Sequence, residues 1–268
     1  METTRWILRI LNSLPGGKTI AYLVFNEDYS SLHREVLGLR FNSPIGVGGG
    51  IDPAGRYFGL FGHLGTAFDI IGPVTSENAI STIRNFQDCK SECNPFVCIT
   101  NNKKSVEDEE LTKDFADCFS LVYDFAPLFV IDLSSPMLEQ DLVRDIITAI
   151  LDIRFTYEEY KPVIIKLGEH LTENELDSLT DFCRMSNVDA LMCCTEKMVS
   201  HVFIHTKGRL PIIGYGGLNK SGAVLDMLNS GASLVCLESE LKSKGLFFIT
   251  HLKRQLSYLI HNGKLRSE

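Results

Sequence analysis

Pro211-Ile212-Ile213-Gly214-Tyr215-Gly216-Gly217-Leu218, followed by Gly231-Ala232-Ser233-Leu234-Val235-Cys236-Leu237, decides the fold of this chain. Each stretch is a short β-branched run that ends where small residues let the backbone approach something, and the segment from Lys220 to Asn229 between them has helical character. That is a βαβ unit. Its Gly-Tyr-Gly-Gly turn has the makeup of a phosphate cradle, although a glycine pair also serves any tight turn. In a (β/α)8 barrel, phosphate commonly sits on the loops after the seventh and eighth strands.

Working outward, the same alternation runs back through the chain. Strand-like runs are expected at 44–50, 67–72, 96–99, 128–133, 162–167 and 188–193, with helices at 54–64, 109–124, 139–157 and 246–260. Thr172-Glu173-Asn174-Glu175 has the spacing of a capping box and opens a further helix ending near Ser186. The stretch 75–94 reads as turn-rich and helix-poor, and 196–209 as a nearly direct connection. Eight such runs predict an α/β protein built as a TIM (β/α)8 barrel, so functional residues should stand at the C-terminal strand ends. Before it, Trp6, Ile7, Ile10, Leu11 and Leu14 recur at helical spacing until Pro15-Gly16-Gly17. Residues 1–40 are therefore expected as a short N-terminal helical extension and 41–268 as the barrel. The helix is expected to pack on the bottom or side of the barrel, with a peripheral membrane or partner contact through residues 1–14 as the other reading.

The bulk properties narrow the function. A chain of 268 residues with 44% hydrophobic and 22% charged residues has the material for one sizeable core. A formal net charge of -8 and the lack of a basic stripe argue against a nucleic-acid partner. Eight cysteines are few for a disulfide scaffold, and the chain opens on no secretory signal. An intracellular, reducing compartment is expected, cytoplasmic or peripheral to a membrane, and mitochondrial in a eukaryote. The spacing of Cys89, Cys93 and Cys98 does not match a zinc site, and no apolar run is long enough for a membrane span. A small-molecule ligand or a protein partner is left, and an oligomer is compatible with both.

At the strand ends three residues bear chemistry. Lys166 is the cation of an apolar run and needs an anionic ligand or an ion pair with Asp132. Ser135, in a Ser-Ser-Pro turn, reads as a base, a nucleophile or a helix cap. Asp132 reads as a site carboxylate or as the counter-charge of Lys166.

Taken together these segments resemble dihydroorotate dehydrogenase, class 2. The likeness is carried by Gly38-Leu39-Arg40-Phe41-Asn42-Ser43-Pro44-Ile45-Gly46 running into Gly50-Ile51-Asp52, by Ile131-Asp132-Leu133-Ser134-Ser135-Pro136, by Pro162-Val163-Ile164-Ile165-Lys166-Leu167, and by the two stretches quoted first. The resemblance implies an FMN-binding barrel that oxidises dihydroorotate to orotate in pyrimidine biosynthesis and passes the electrons to quinone. It implies Ser135 as catalytic base and Lys166 as the lysine at the flavin ring. It further implies Gly49, Gly50, Gly216, Gly217 and Ser239 as cofactor-binding positions.

The departures are numerous. Pro53 stands for a lysine, Pro73 for a flavin-binding threonine, and Cys98, Asp132 and Met137 for asparagines. Cys194 and Thr195 replace a threonine and an asparagine, the Asn-rich substrate loop has no counterpart between Thr75 and Pro95, and the glycine-rich lid expected after Thr195 is missing. Glu238-Ser239-Glu240 brings carboxylates to the phosphate loop. The expectation is a catalytically degenerate barrel acting as a binding, structural or regulatory subunit, with an active FMN-dependent oxidoreductase as the alternative.

Overall fold

The computed structural model describes residues 2–89, 91–101 and 107–263. Eight parallel strands close a barrel: β3 (Ile45–Val47), β4 (Phe68–Val74), β5 (Asn94–Ile99), β6 (Leu128–Asp132), β7 (Val163–Lys166), β8 (Ala190–Cys193), β9 (Ile212–Tyr215) and β10 (Leu234–Leu237), with β10 returning to pair with β3. Strands flanked by helices on one side and by barrel filling on the other are buried on both faces. That is why β6, Leu-Phe-Val-Ile-Asp, is apolar at four consecutive positions and polar only at its last. The TIM barrel expected from the sequence is the observed fold.

Helices α3 (Phe58–Phe61), α4 (Ala79–Phe86), α5 (Asp108–Val122), α6 (Gln140–Arg154), α7 (Glu173–Met185), α8 (Glu196–Thr206), α9 (Ser221–Asn229), α10 (Ser239–Lys244) and α11 (Phe247–His261) cover the outside. The α7 capping box forms as the spacing predicts, with Thr172 Oγ1 accepting the Glu175 N–H and the Glu175 carboxylate accepting from the Thr172 N–H.

Three local expectations are corrected. Residues 75–94 contain α4, which buries Ala79, Thr82, Ile83 and Phe86 at helical spacing. Residues 196–209 contain α8, opened by Thr195, whose Oγ1 accepts the Met198 N–H at 3.2 Å. At the N-terminus, α1 (Glu2–Ser13) is followed by a second helix, α2 (Gly17–Phe25), because the Pro-Gly-Gly turn reverses the chain with Gly16 at φ 78°. Helix α1 leans on the C-terminal end of the barrel, where Thr4 Oγ1 donates to Leu241 O at 2.7 Å and Arg5 donates to Gly50 O at 3.0 Å, while α2 packs on its side, with Phe25 O accepting from Thr250 of α11 at 3.0 Å.

A short antiparallel hairpin, β1 (Arg34–Val36) and β2 (Leu39–Phe41), closes the other end, and the domain boundary expected at 40 and 41 falls inside it. Phe41 plugs that end against Phe68 and Phe96. With the bottom filled, space for a ligand is left at the top.

Candidate functional site

A cavity of about 580 Å³ opens at the C-terminal strand ends. Ile70, Val130, Met192, Cys98 and Cys236 form its apolar wall, and Asp132, Lys166, Glu238, Ser239 and Glu240 its polar rim. This is the size and character of a small-molecule site. Burial pushes the Cys98 thiol up to about 12 and the Cys236 thiol well above its usual range, so both behave as packing groups and not as nucleophiles.

Adjacent strand ends decide the fate of Lys166. Asp132 and Lys166 are direct partners in the β6–β7 register, and Lys166 Nζ donates to Asp132 Oδ2 at 2.7 Å. Burial pulls the ammonium down, yet the Asp132 carboxylate outweighs it and leaves Lys166 above its ordinary value. The other Asp132 oxygen accepts from the Ser134 N–H at 3.1 Å and from the Ser134 hydroxyl at 2.5 Å. Lys166 also lies 5.1 Å from the centre of the Tyr215 ring, whose hydroxyl donates to Leu167 O at 2.9 Å. The ion pair with Asp132 is formed, and Lys166 lines the cavity as well.

Ser135 stands apart from this cluster. It is exposed, is not among the residues lining the cavity, and accepts the Met137 N–H at 3.3 Å. Among the described residues, no histidine or carboxylate hydrogen-bonds to it, so nothing here activates its hydroxyl.

The glycines are brought to the site, though in unequal roles. Gly49 lies against β4, where an added Cβ would meet Gly72 O at 2.6 Å. A Cβ on Gly50 would meet Glu238 Oε1 at 1.9 Å and Lys242 Nζ at 2.6 Å. Position 50 is thus glycine because the chain's own Glu238–Lys242 pair, 2.7 Å apart, fills the space above it. Gly216 lines the main cavity, whereas Gly217 lines a neighbouring one of about 540 Å³. Ser239 lines the main cavity as the first residue of α10.

Sequence reasoning missed the packing of Glu240. It is only 4% exposed, and its carboxylate accepts the Glu238 N–H at 3.2 Å. Asp52 is a turn-former: its carboxylate takes the N–H groups of Arg56 and Tyr57 at 2.8 and 2.6 Å. Burial nevertheless raises Asp52 to about 6, with those N–H groups pulling the other way.

A phosphorylated flavin, the cofactor the resemblance implies, does not fit these residues at its phosphate end. The strand-end N–H of Glu238 is spent on a carboxylate, and a second carboxylate stands beside it. Like charges there oppose a phosphate.

Fold and cavity together define a (β/α)8 barrel with an open cavity at its C-terminal face, where such barrels commonly carry their sites. A family model described as dihydroorotate dehydrogenase matches residues 189–260. A protein of Actinobacillus pleuropneumoniae serotype 7 named dihydroorotate dehydrogenase (quinone) is 24% identical over 289 residues, covering 83% of this chain and 86% of that protein. One of the same name from Glaesserella parasuis is 25% identical over 290 residues, covering 83% and 87%. The crystal structure of a ligand-free type DHODH from Eimeria tenella superposes with a TM-score of 0.83 at 19% identity, over 99% of this chain and 97% of that one. The chain is thus similar to dihydroorotate dehydrogenases in sequence over most of its length and in fold.

Proposed function

We propose that this barrel has kept the family's scaffold and cavity without its turnover of dihydroorotate, and that it acts as a ligand-binding or partner-binding subunit. One observation carries the reading. Among the described residues lining the cavity there is no Asn, Gln, Arg or His, and the lysine there is already paired with Asp132. Dihydroorotate is an anion with ring carbonyl and N–H groups. Without cationic and amide partners its binding and discrimination fall by orders of magnitude.

The test is dihydroorotate oxidation by the purified full chain, with added FMN and a quinone or an artificial electron acceptor. We expect turnover below about 0.01 s⁻¹, where working enzymes commonly reach about 10 s⁻¹. Turnover at an ordinary rate defeats the reading.

The relatives' names favour the second reading, an active FMN-dependent oxidoreductase of the dihydroorotate type. In that case the same assay shows ordinary turnover, and Lys166→Ala abolishes it.

The α1–α2 hairpin adds a surface to either reading. Trp6, Leu14, Ile20, Leu23 and Val24 are all exposed on it, with Leu23 at 77%, while Ile7 packs against the core. Among the described residues no helix is long and apolar enough to cross a membrane. A peripheral contact through this hairpin fits its pattern better. Co-sedimentation with phosphatidylcholine–phosphatidylglycerol vesicles should show binding that the Trp6→Ser, Leu23→Ser double variant weakens at least about tenfold. Unchanged sedimentation of the variant would remove the hairpin from consideration.

A further inference from the structure

We infer that the mouth of this barrel selects against phosphate, taking an uncharged, hydroxyl-bearing ring compound of the nucleoside or dephosphorylated-flavin class and rejecting its phosphomonoester. The inference deepens the binding reading of the same cavity and rests on it. It begins from the place where such barrels hold phosphate, the loops after the last two strands. In this chain those loops are Gly216-Gly217 after β9 and Glu238-Ser239-Glu240 after β10.

At the second loop the Glu238 N–H and the Lys242 ammonium, two donors an anion could use, are already engaged. Glu238 rests against the glycine run of β3's loop, its Cβ 2.8 Å from where a Cβ of Gly48 would lie and its Oε1 against Gly50. Lys242 neutralises it at 2.7 Å, and buried Glu240 accepts the Glu238 N–H. Across the mouth, Asp132 holds Lys166. With Lys242 behind Glu238 counted, three carboxylates stand against two ammonium groups, an excess of one negative charge. A dianion entering here meets acceptors and like charge, whereas a sugar or ribityl hydroxyl entering the same space donates to a carboxylate in a charge-assisted bond. The deeper half suits a flat ring: Ile70, Val130 and Met192 are apolar, and about 580 Å³ holds a compound of that size.

Riboflavin and FMN form a matched pair of probes, since they differ only in the phosphate. Titrated into the full-length protein and followed by quenching of flavin fluorescence, riboflavin should bind and FMN should bind at least about 100-fold more weakly. Replacing Glu238→Ser together with Glu240→Gly, with Lys242 left in place, should narrow that ratio at least about tenfold. Because Glu240 is buried, the single Glu238→Gln variant is the control for folding. It removes one exposed charge at constant shape and should narrow the ratio in the same direction.

FMN binding as tightly as riboflavin, binding of neither, or a ratio unmoved in Glu238→Gln each overturns the inference. The readout is affinity, so it separates from the turnover assay. Tight FMN binding without dihydroorotate oxidation overturns this inference alone, and oxidation in a protein that still prefers riboflavin overturns the non-catalytic reading alone.

Discussion

Arg154→Met is expected to lower the unfolding free energy by about 3–5 kcal/mol, the usual result of stripping one partner from a buried ion pair. Arg154 ends α6 with its side chain 1% exposed. Its guanidinium donates to Asp189 Oδ2 at 2.7 Å and to Asn187 O at 2.9 Å, and it lies 4.8 Å from the centre of the Tyr160 ring. Asp189 binds the Val163 N–H at 2.8 Å and the Tyr160 hydroxyl as well. One guanidinium thus ties the end of α6 to the entries of β7 and β8.

Lysine cannot replace that fork, so Arg154→Lys should recover only part of the loss. Urea denaturation followed by circular dichroism measures both, and a loss under about 1 kcal/mol for Arg154→Met would put this pair with exposed ones. The cluster lies at the strand entries, remote from the cavity, so ligand affinity in the folded fraction should not change.

The Arg154 cluster shows why the barrel itself could be read from the sequence while its fastenings could not. Strands buried on both faces have to be apolar runs, and Val163-Ile164-Ile165 or Leu128-Phe129-Val130-Ile131 announce themselves without any contact being known. Helix α2 was hidden by its own composition. Thr19-Ile20-Ala21-Tyr22-Leu23-Val24 is rich in β-branched and aromatic residues, and the preceding Pro-Gly-Gly reads as an end when it is a turn between two helices. Helix α4 could have been found, because Ala79, Thr82, Ile83 and Phe86 carry the helical period within a polar stretch.

At the site, Lys166 and Asp132 were legible as strand-end charges, but their direct pairing depended on lateral strand register. The inward burial of Glu240 had no local signal at all. Sequence spacing shows that a carboxylate is near a loop, not which way it turns.

Phe96→Ala is the other large expected effect, a loss of about 3–5 kcal/mol from deleting a fully buried aromatic ring. Phe96 is 0% exposed and stacks on Phe68 with centroids 4.6 Å apart and planes 11° apart, while Phe41 of the bottom hairpin meets both rings edge-on at 6.1 Å. Gly46 makes the arrangement possible, since a Cβ there would lie 2.3 Å from the Phe68 ring. A backbone surrounded by eight hydrogen-bonded strands cannot collapse into the space a ring vacates, which places the cost toward the upper end. On β5 the residue two positions on, facing the same interior, is Cys98 in the wall of the cavity. The void would therefore lie directly beneath the ligand space. Urea denaturation reads the stability, and a loss below about 1.5 kcal/mol would mean that Phe41 and Phe68 refill the gap. If they do not, the same variant should bind longer apolar ligands than the parent. The aromatic floor then sets the depth of the site, as Glu238 and Glu240 set the chemistry at its rim.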